Sequence, residues 1–152
     1  MPKRYGQRCP VAKSLEVVGD RWTLLLVRDL LPGARRFQDL VASLPGIPPN
    51  LLSERLKRME EHGLVARRFY SEHPPRAEYV LTAKGKELGK IVGALADWGA
   101  RHLYPHVALV HRECGHPVEL KYFCPRCADR VPGRTVALGP RKRARAASAQ
   151  SK

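Results

Sequence analysis

The stretch at residues 49–62 constrains the fold of this chain most. Pro48 and Pro49 stand at its start, where proline suits the first turn of a helix. Gly63 follows it directly, as glycine commonly does at the end of a helix. Leu52, Leu56 and Met59 recur at i, i+4 and i+7, while most positions between them are polar or charged. The pattern predicts a helix that buries one narrow apolar stripe and leaves a broad polar face exposed.

Hydrophobic spacing divides the surrounding sequence into short elements, separated by Pro/Gly pairs and turn residues. The predicted elements, in chain order, are helices over 10–18, 22–31, 37–44 and 49–62, strands over 64–70 and 76–81 around a Pro-rich turn, and a helix over 83–103. Thr82 is suited to cap the last helix. The apolar side of that helix carries Leu88, Ile91, Val92, Leu95 and Trp98. This order predicts a mainly helical α+β fold, a winged helix-turn-helix whose two strands form a β-ribbon, or wing.

Two short helices joined by a Pro/Gly turn, the second with basic residues on its exposed face, are typical of proteins that bind the DNA major groove. The candidate contacts on the exposed face are Asn50, Ser53, Glu54, Lys57 and Arg58. Asn50 and Ser53 lie at the end that enters the groove most deeply in such proteins. Asn50 can pair with adenine, and Glu54 can accept a hydrogen bond from cytosine. The alternative is a solvated charged helix without a ligand.

Basic residues also occur in the predicted wing and in the extended link before the third helix. In the wing they suit contacts with the DNA backbone or minor groove, and in the link they suit phosphate binding. The candidates are Arg67, Arg68, His73 and Arg76 in the wing, and Arg35 and Arg36 in the link.

The chain is strongly basic, with a formal net charge of +14 and a pI of about 10.2. Residues 141–152 hold five basic and no acidic residues, so +9 remains in the rest of the chain. Such basicity indicates a polyanionic partner, for which double-stranded DNA is the expected one. We find no membrane-spanning run, basic amphipathic helix or secretory signal, and therefore expect no membrane partner and a cytoplasmic, nucleoid-associated location.

Six motifs lie between residues 9 and 85, within a longer stretch of similarity over about residues 9–103. They are CPV at Cys9, GDRWTLLLVRDLL at Gly19, RFQDL at Arg36, LPGIPPNLLSERL at Leu44, EHGLV at Glu61 and PPRAEYVLTAKG at Pro74. In combination they resemble the HxlR-type family of winged helix-turn-helix bacterial transcriptional regulators. The resemblance implies a homodimer that binds an inverted-repeat operator, with the first and last helices forming the dimer interface.

Cys9 stands immediately before Pro10, at the predicted start of the first helix. The helix N-terminus and Arg8 favour a thiolate there, an environment typical of redox-responsive cysteines. Some HxlR-type regulators use such a cysteine to sense oxidants or electrophiles. Cys9 is therefore a candidate sensor, and the alternative is a passive small residue at the dimer interface.

The other three cysteines and a histidine form two pairs near the C-terminus. Two residues separate His111 from Cys114 and Cys124 from Cys127, and nine residues lie between the pairs. These pairs suit a structural tetrahedral Zn²⁺ site, which would stabilise a segment with little apolar core. His116 is the rival of His111 as the fourth ligand. The alternatives are reduced surface thiols or a redox pair of Cys124 and Cys127.

These features divide the chain into three segments. We expect a DNA-binding and dimerisation domain over 1–105, a zinc-ribbon-like segment over 106–140 and a basic, disordered tail over 141–152. The expected function is sequence-specific transcriptional regulation, by default repression, and the alternative is a non-specific nucleic-acid-binding or architectural protein. No Gly-rich phosphate loop, Ser/His/Asp set or paired carboxylate is evident, so no enzymatic activity is expected. The pattern does not specify an effector.

Overall fold

A computed structural model of the chain describes residues 4–72 and 75–140. The chain divides into two compact units, Met1–Leu109 and Val110–Lys152. The basic tail predicted at residues 141–152 lies outside the described residues. In the described part of the chain, no helix combines the length and the apolarity needed to cross a bilayer.

The first unit is mainly helical, with a small sheet. Its elements are α1 (Pro10–Val18), α2 (Thr23–Leu30), β1 (Arg35–Arg36), α3 (Phe37–Ser43), α4 (Pro49–Glu61), β2 (Val65–Glu72), β3 (Pro75–Leu81), α5 (Ala83–Glu87) and α6 (Gly89–His102). This order confirms the prediction of an α+β fold of the winged helix-turn-helix type, with α3 and α4 as the helix-turn-helix pair and β2 and β3 as the wing.

The helix predicted at residues 49–62 is present as α4. It ends one residue early, because Gly63 adopts the left-handed conformation (φ 67°) that commonly follows a helix. The amide of Gly63 donates to the carbonyl of Glu60 (2.9 Å), and the amide of Leu64 donates to that of Met59 (2.8 Å). These bonds satisfy carbonyl groups that the helix end would otherwise leave unpaired.

The apolar stripe of α4 lies in the centre of the core. Leu52, Leu56 and Met59 are at most 2% exposed, which confirms the predicted stripe. They pack in one cluster with buried side chains from the other elements, namely Val18, Leu26, Val27, Leu30, Leu40, Leu44, Ile47, Leu64, Val65 and Leu81. The polar face of α4 is therefore directed away from the core.

The three strands form an antiparallel sheet in the order β1-β3-β2. Val65 of β2 pairs with Leu81 of β3, and both are buried, so the base of the wing is joined to the core. The wing strands are longer than predicted, since β2 continues to Glu72 and β3 begins at Pro75. A register shift lies between Phe69 and Ser71, as in a β-bulge.

The second helix was predicted over 22–31 but spans Thr23–Leu30. Trp22 precedes it at φ 82°, a left-handed conformation that is rare for a bulky side chain. The guanidinium of Arg21 lies 4.9 Å from the centre of the Trp22 ring. The chain therefore turns sharply into α2 at Trp22, which the prediction had placed inside the helix.

The single helix predicted over 83–103 is wrong at Leu88, where α5 and α6 separate. The amide of Leu88 donates to the carbonyl of Gly85 (3.1 Å) and the amide of Ile91 to that of Leu88 (3.0 Å), which is the tighter 3₁₀ pattern. The predicted cap is confirmed, because the Thr82 hydroxyl accepts from the amide of Gly85 (3.1 Å). A Cβ on Gly85 would overlap the carbonyl oxygen of Leu64, so only glycine permits this approach.

The second unit has little regular structure in its described residues, 110–140. Strands β4 (Tyr122–Cys124) and β5 (Asp129–Val131) form an antiparallel hairpin, and a 3₁₀ turn follows at Gly133–Thr135. An isolated antiparallel bridge joins Val110 and Pro117. No side chain of this range is buried.

Candidate nucleic-acid interface

The outer face of α4 presents four of its five predicted contacts to solvent. Asn50, Ser53 and Lys57 are exposed, and none has an ion pair or side-chain hydrogen bond within the described residues. Glu54 is also exposed (61% of its side chain), although its carboxylate pairs with Arg55 (3.0 Å). The N-terminal half of α4 therefore offers an amide, a hydroxyl, a carboxylate and an ammonium group, which are suitable contacts for base edges and phosphates.

Arg58 is placed differently from the other predicted contacts. Its side chain is only 20% exposed, and its guanidinium makes an ion pair with Asp20. One terminal nitrogen, Nη2, is buried without a hydrogen-bond partner within the described residues. The structure thus directs Arg58 toward the connection between α1 and α2, so a contact with DNA stays a prediction that requires the ion pair to open.

Asp20 and Arg55 are functional candidates that the sequence interpretation missed. Arg55 Nη1 lies 3.7 Å from an Asp20 carboxylate oxygen, and Arg55 Nε donates to the carbonyl of Arg21 (3.4 Å). Asp20 therefore faces two arginines of α4, at positions 55 and 58, and joins α4 to the segment before α2. The available signal was an arginine pair at i, i+3 on one helix face together with an acidic residue in a short loop.

The C-terminal end of α4 is bonded to the start of α5. The Lys84 ammonium donates to the carbonyl of His62 (2.7 Å), and the Thr82 hydroxyl donates to the carbonyl of Gly63 (2.6 Å). At the other end, Pro48 has an extended backbone and precedes Pro49 at the first helical position, and both are exposed. The helix is therefore held at one end by its own fold while its N-terminus, the end that favours anionic ligands, stays accessible.

The wing carries exposed basic side chains at most of the predicted positions. Arg67 is exposed and its guanidinium lies 5.3 Å from the Phe69 ring, while Arg76 is exposed and has no acidic partner in the described part of the chain. Arg68 is 64% exposed and pairs with Glu78 (Nε to Oε1, 2.8 Å). The two residues lie opposite each other in the pairing of β2 with β3, so a prediction of that register would have identified the ion pair. His73 lies outside the described residues.

The short link before α3 is the edge strand β1, so it belongs to the same sheet as the wing. Arg35 pairs in register with Tyr79 and Arg36 with Glu78. Both arginines are exposed, and the Arg36 guanidinium lies 4.8 Å from the Tyr70 ring of β2, as in a cation–π contact. The sheet therefore groups the basic residues of the link with those of the wing, an association that neither short segment indicated by itself.

Cys9 is the residue directly before α1, where the sequence placed it. It is half-buried and not in a disulfide, and its carbonyl accepts a hydrogen bond from the amide of Lys13 (3.0 Å). The side chain of Cys9 does not cap the helix. Its role as a sensor stays a prediction.

The predicted zinc ligands lie in the second unit as two separate pairs. His111 Nδ1 and Cys114 Sγ are 3.2 Å apart. The pKa of Cys124 is lowered because the amide and thiol of Cys127, and the amide of Arg126, donate hydrogen bonds to its sulfur. The pKa of Cys127 is raised because its thiol proton is held by Cys124. Among residues 4–72 and 75–140, no three His, Cys, Asp or Glu side chains are close enough to hold a metal ion as they stand.

An apolar surface on α1 and α6 remains uncovered in the first unit. The predicted apolar side of α6 is only partly used, because Leu88 and Val92 pack against the core while Ile91, Leu95 and Trp98 are 40–52% exposed. On α1, Val11 and Leu15 are 59% and 42% exposed. Neither set is covered by the rest of the first unit, so α1 and α6 each carry an unpartnered apolar face.

Comparisons with known proteins agree with this geometry. The model of the HxlR-like helix-turn-helix family matches residues 17–107. Rv3095, an uncharacterised HTH-type transcriptional regulator of Mycobacterium tuberculosis, is 39% identical over 134 residues, covering 86% of this chain and 84% of the relative. PA1374, a candidate transcription factor from Pseudomonas aeruginosa, superimposes with a TM-score of 0.68 at 38% identity, covering 91% of this chain and 96% of that one.

A second solved structure, the redox regulator HypR in its oxidised form, superimposes with a TM-score of 0.59 at 34% identity and covers 62% of this chain and 97% of its own. The family match spans the helix-turn-helix, the wing and the last helices of the first unit. The resemblance seen in the sequence is confirmed. This chain therefore belongs to the HxlR-like helix-turn-helix family of DNA-binding transcriptional regulators.

Proposed function

We propose that this regulator recognises one inverted-repeat operator in double-stranded DNA as a homodimer and represses transcription there. The observation that carries the proposal is the arrangement of α4, with Leu52, Leu56 and Met59 buried and its N-terminal polar face exposed. A helix held in this way can enter the major groove without disturbing the core. A protein acting in this way would be cytoplasmic and associated with the nucleoid.

The basic sheet supports the same arrangement. Arg35 and Arg36 on β1, and Arg67 and Arg76 on the wing strands, supply positive charge beside the helix-turn-helix. Charges of this kind contact the DNA backbone and orient the protein without specifying sequence. Sequence discrimination would therefore reside in α4, and salt-dependent affinity in the arginines of the sheet.

The test is genomic footprinting followed by binding to the recovered operator in excess random DNA. Asn50→Ala should weaken operator binding by about tenfold or more and relax specificity at one base position, as loss of a bidentate base contact does. Glu61→Gln, on the same helix but at its far end, is the matched control and should bind as the unmodified chain does. Equal competition by random DNA would instead favour the general nucleic-acid-binding alternative.

The sign of regulation is tested separately. A reporter placed behind the recovered promoter should become more active when the protein is deleted, since a repressor blocks polymerase access. A fall in reporter activity would identify an activator and contradict the repressor proposal.

The exposed apolar face of α1 and α6 supports the homodimer. Val11, Leu15, Ile91, Leu95 and Trp98 together offer the type of surface that soluble proteins cover by association. A copy of the same chain is the expected occupant, because an inverted repeat requires two related recognition helices. Leu95→Glu should yield monomers by light scattering, whereas Phe69→Glu, an equally exposed apolar side chain in the wing, should leave the dimer intact. A Leu95→Glu dimer would place the interface elsewhere.

We also propose that oxidation or alkylation of Cys9 changes how the two protomers dock and thereby releases the operator. Cys9 directly precedes α1, which carries part of the proposed dimer face, and is half-buried rather than enclosed. The likeness to HypR, described as a redox regulator, supports this role. Diamide should release operator DNA from the unmodified protein and not from Cys9→Ser. Equal release from both proteins would assign Cys9 the passive role.

A further inference from the structure

The second unit contains a tight turn that brings a histidine and a cysteine together. The amide of Gly115 donates to the carbonyl of His111 (2.7 Å), and the amide of His111 donates to the carbonyl of His116 (2.9 Å). Across this turn His111 Nδ1 and Cys114 Sγ are 3.2 Å apart. Gly115, directly after the cysteine, has a left-handed backbone with φ 71°.

A second turn in the same unit repeats this arrangement with two cysteines. Cys124 ends β4, and Cys127 lies three residues further on, in the turn that leads into β5 at Asp129. Ala128, directly after the second cysteine, also has a left-handed backbone, with φ 53°. The turn therefore matches the first in the spacing of its two candidate ligands and in the left-handed residue that follows the second ligand.

The conformation of Ala128 requires an explanation. In the described residues only Trp22 and Ala128 have a positive φ without being glycine. Such a conformation is unfavourable for an alanine and persists where the surroundings enforce it. A metal ion bound by both Cys124 and Cys127 would hold the turn that leads into Ala128 and so help to maintain this backbone conformation.

Apolar burial does not supply the missing constraint in this unit. Within residues 110–140 only Cys124 and Val131 are even half-buried, and the other side chains are exposed. The four cysteines of the chain are free, so no disulfide crosslinks the unit. Units of this size without a core usually depend on a metal or on crosslinks for their stability.

We propose that His111, Cys114, Cys124 and Cys127 bind one Zn²⁺ in a closed tetrahedral structural site. On binding, the three thiols lose their protons to water and His111 coordinates as a neutral ring. Since no three such side chains are within metal-binding distance as they stand, binding must draw the two turns together. A Cys124–Cys127 redox pair would explain the second turn but not the matching histidine–cysteine turn.

The direct test is metal analysis of the full chain purified without chelator from zinc-supplemented cells. We expect about one zinc per chain, the stoichiometry of a single structural site. Titration of the metal-free chain with Co²⁺ should give the absorption of a tetrahedral site with sulfur-to-metal charge transfer from three thiolates. Less than about 0.2 zinc per chain together with no tetrahedral Co²⁺ spectrum would overturn the proposal.

Variants assign the ligands. Cys114→Ser, Cys124→Ser and Cys127→Ser should each abolish stoichiometric zinc binding, whereas Cys9→Ser, the matched cysteine outside the unit, should retain it. His111→Ala should lose zinc and His116→Ala should keep it, and the opposite result would overturn the assignment of His111.

A readout that does not depend on the variants is proteolysis of the full-length unmodified chain. Chelation should accelerate cleavage within residues 110–140 and leave the first unit resistant, because zinc binding would stabilise only the second unit. Unchanged cleavage on chelation of a zinc-loaded chain would contradict a structural role for the ion.

Discussion

The first unit buries side chains from α1 to α4 and from the base of the wing in one cluster, whereas residues 110–140 bury none. Each large apolar side chain that is buried contributes about 1.5–3 kcal/mol to the free energy of unfolding. In the first unit this stabilisation by apolar burial is distributed over many residues. The polar face of α4 therefore does not have to contribute to stability. In the second unit apolar burial is absent, so stability must come from a few specific bonds. The comparison predicts opposite responses of the two units to the same kinds of substitution.

The largest effect is expected from Leu56→Ala in the centre of the first unit. Leu56 is 1% exposed and lies between α4 and the rest of the core. The truncation should lower the free energy of unfolding by about 3–5 kcal/mol, since it removes apolar contacts and leaves a cavity. Urea unfolding at fixed protein concentration measures this change. A loss below about 1 kcal/mol would show that the core is less tightly packed than its burial indicates.

Two glycines of the last helices should respond in opposite directions. Gly85→Ala places a Cβ against the carbonyl oxygen of Leu64, so the backbone must move and the unfolding free energy should fall by about 3 kcal/mol. Gly93→Ala in α6 meets no atom within 4 Å and should raise it by about 0.5–1 kcal/mol through helix propensity. Thermal unfolding of the two variants measures these changes as shifts of the melting temperature. Equal shifts of the same sign would contradict the close approach of Gly85 to Leu64.

Asp20→Asn tests the polar contact that orients α4. The substitution removes the acidic partner of Arg55 and Arg58 and should lower the unfolding free energy by about 1–2 kcal/mol. This loss is smaller than that for a fully buried ion pair, because all three side chains are partly exposed and solvent screens their charges. Asp97→Asn, which breaks the exposed i, i+4 pair with Arg101, is the control and should cost about 0.3–0.5 kcal/mol. Similar losses from both variants would mean that Asp20 contributes no more than an ordinary surface ion pair.

The sequence predicted best those features that depend on local periodicity. The stripe of Leu52, Leu56 and Met59, the bounds of α1 and the Thr82 cap follow from spacing and side-chain chemistry within a few residues. These signals are strong because each element buries one face against a single core.

Features that depend on residues distant in sequence were not predicted. The contact between Asp20 and Arg58 spans thirty-eight residues, and only the folded chain brings the two together. The pairing of β1 with β3 involves two residues of β1, too few to show an alternating pattern. The break at Leu88 left a signal, since Gly85 and Gly89 lie four residues apart on the same helix face, but local pattern alone does not show that α5 must approach Leu64 closely.

The smallest effect is expected from Leu120→Ala in the second unit. Leu120 is 50% exposed in a segment without buried side chains, so its truncation should change local stability by less than about 0.5 kcal/mol. Amide hydrogen exchange across residues 110–140 measures this locally, and the protection should change by no more than about twofold. Cys127→Ser, by contrast, should remove that protection, because under the zinc proposal a metal ligand and not an apolar contact holds the turn. If Leu120→Ala lowered the protection as strongly as Cys127→Ser, apolar contacts would stabilise this unit. The two units would then differ in the size of their cores but not in the type of interaction that stabilises them.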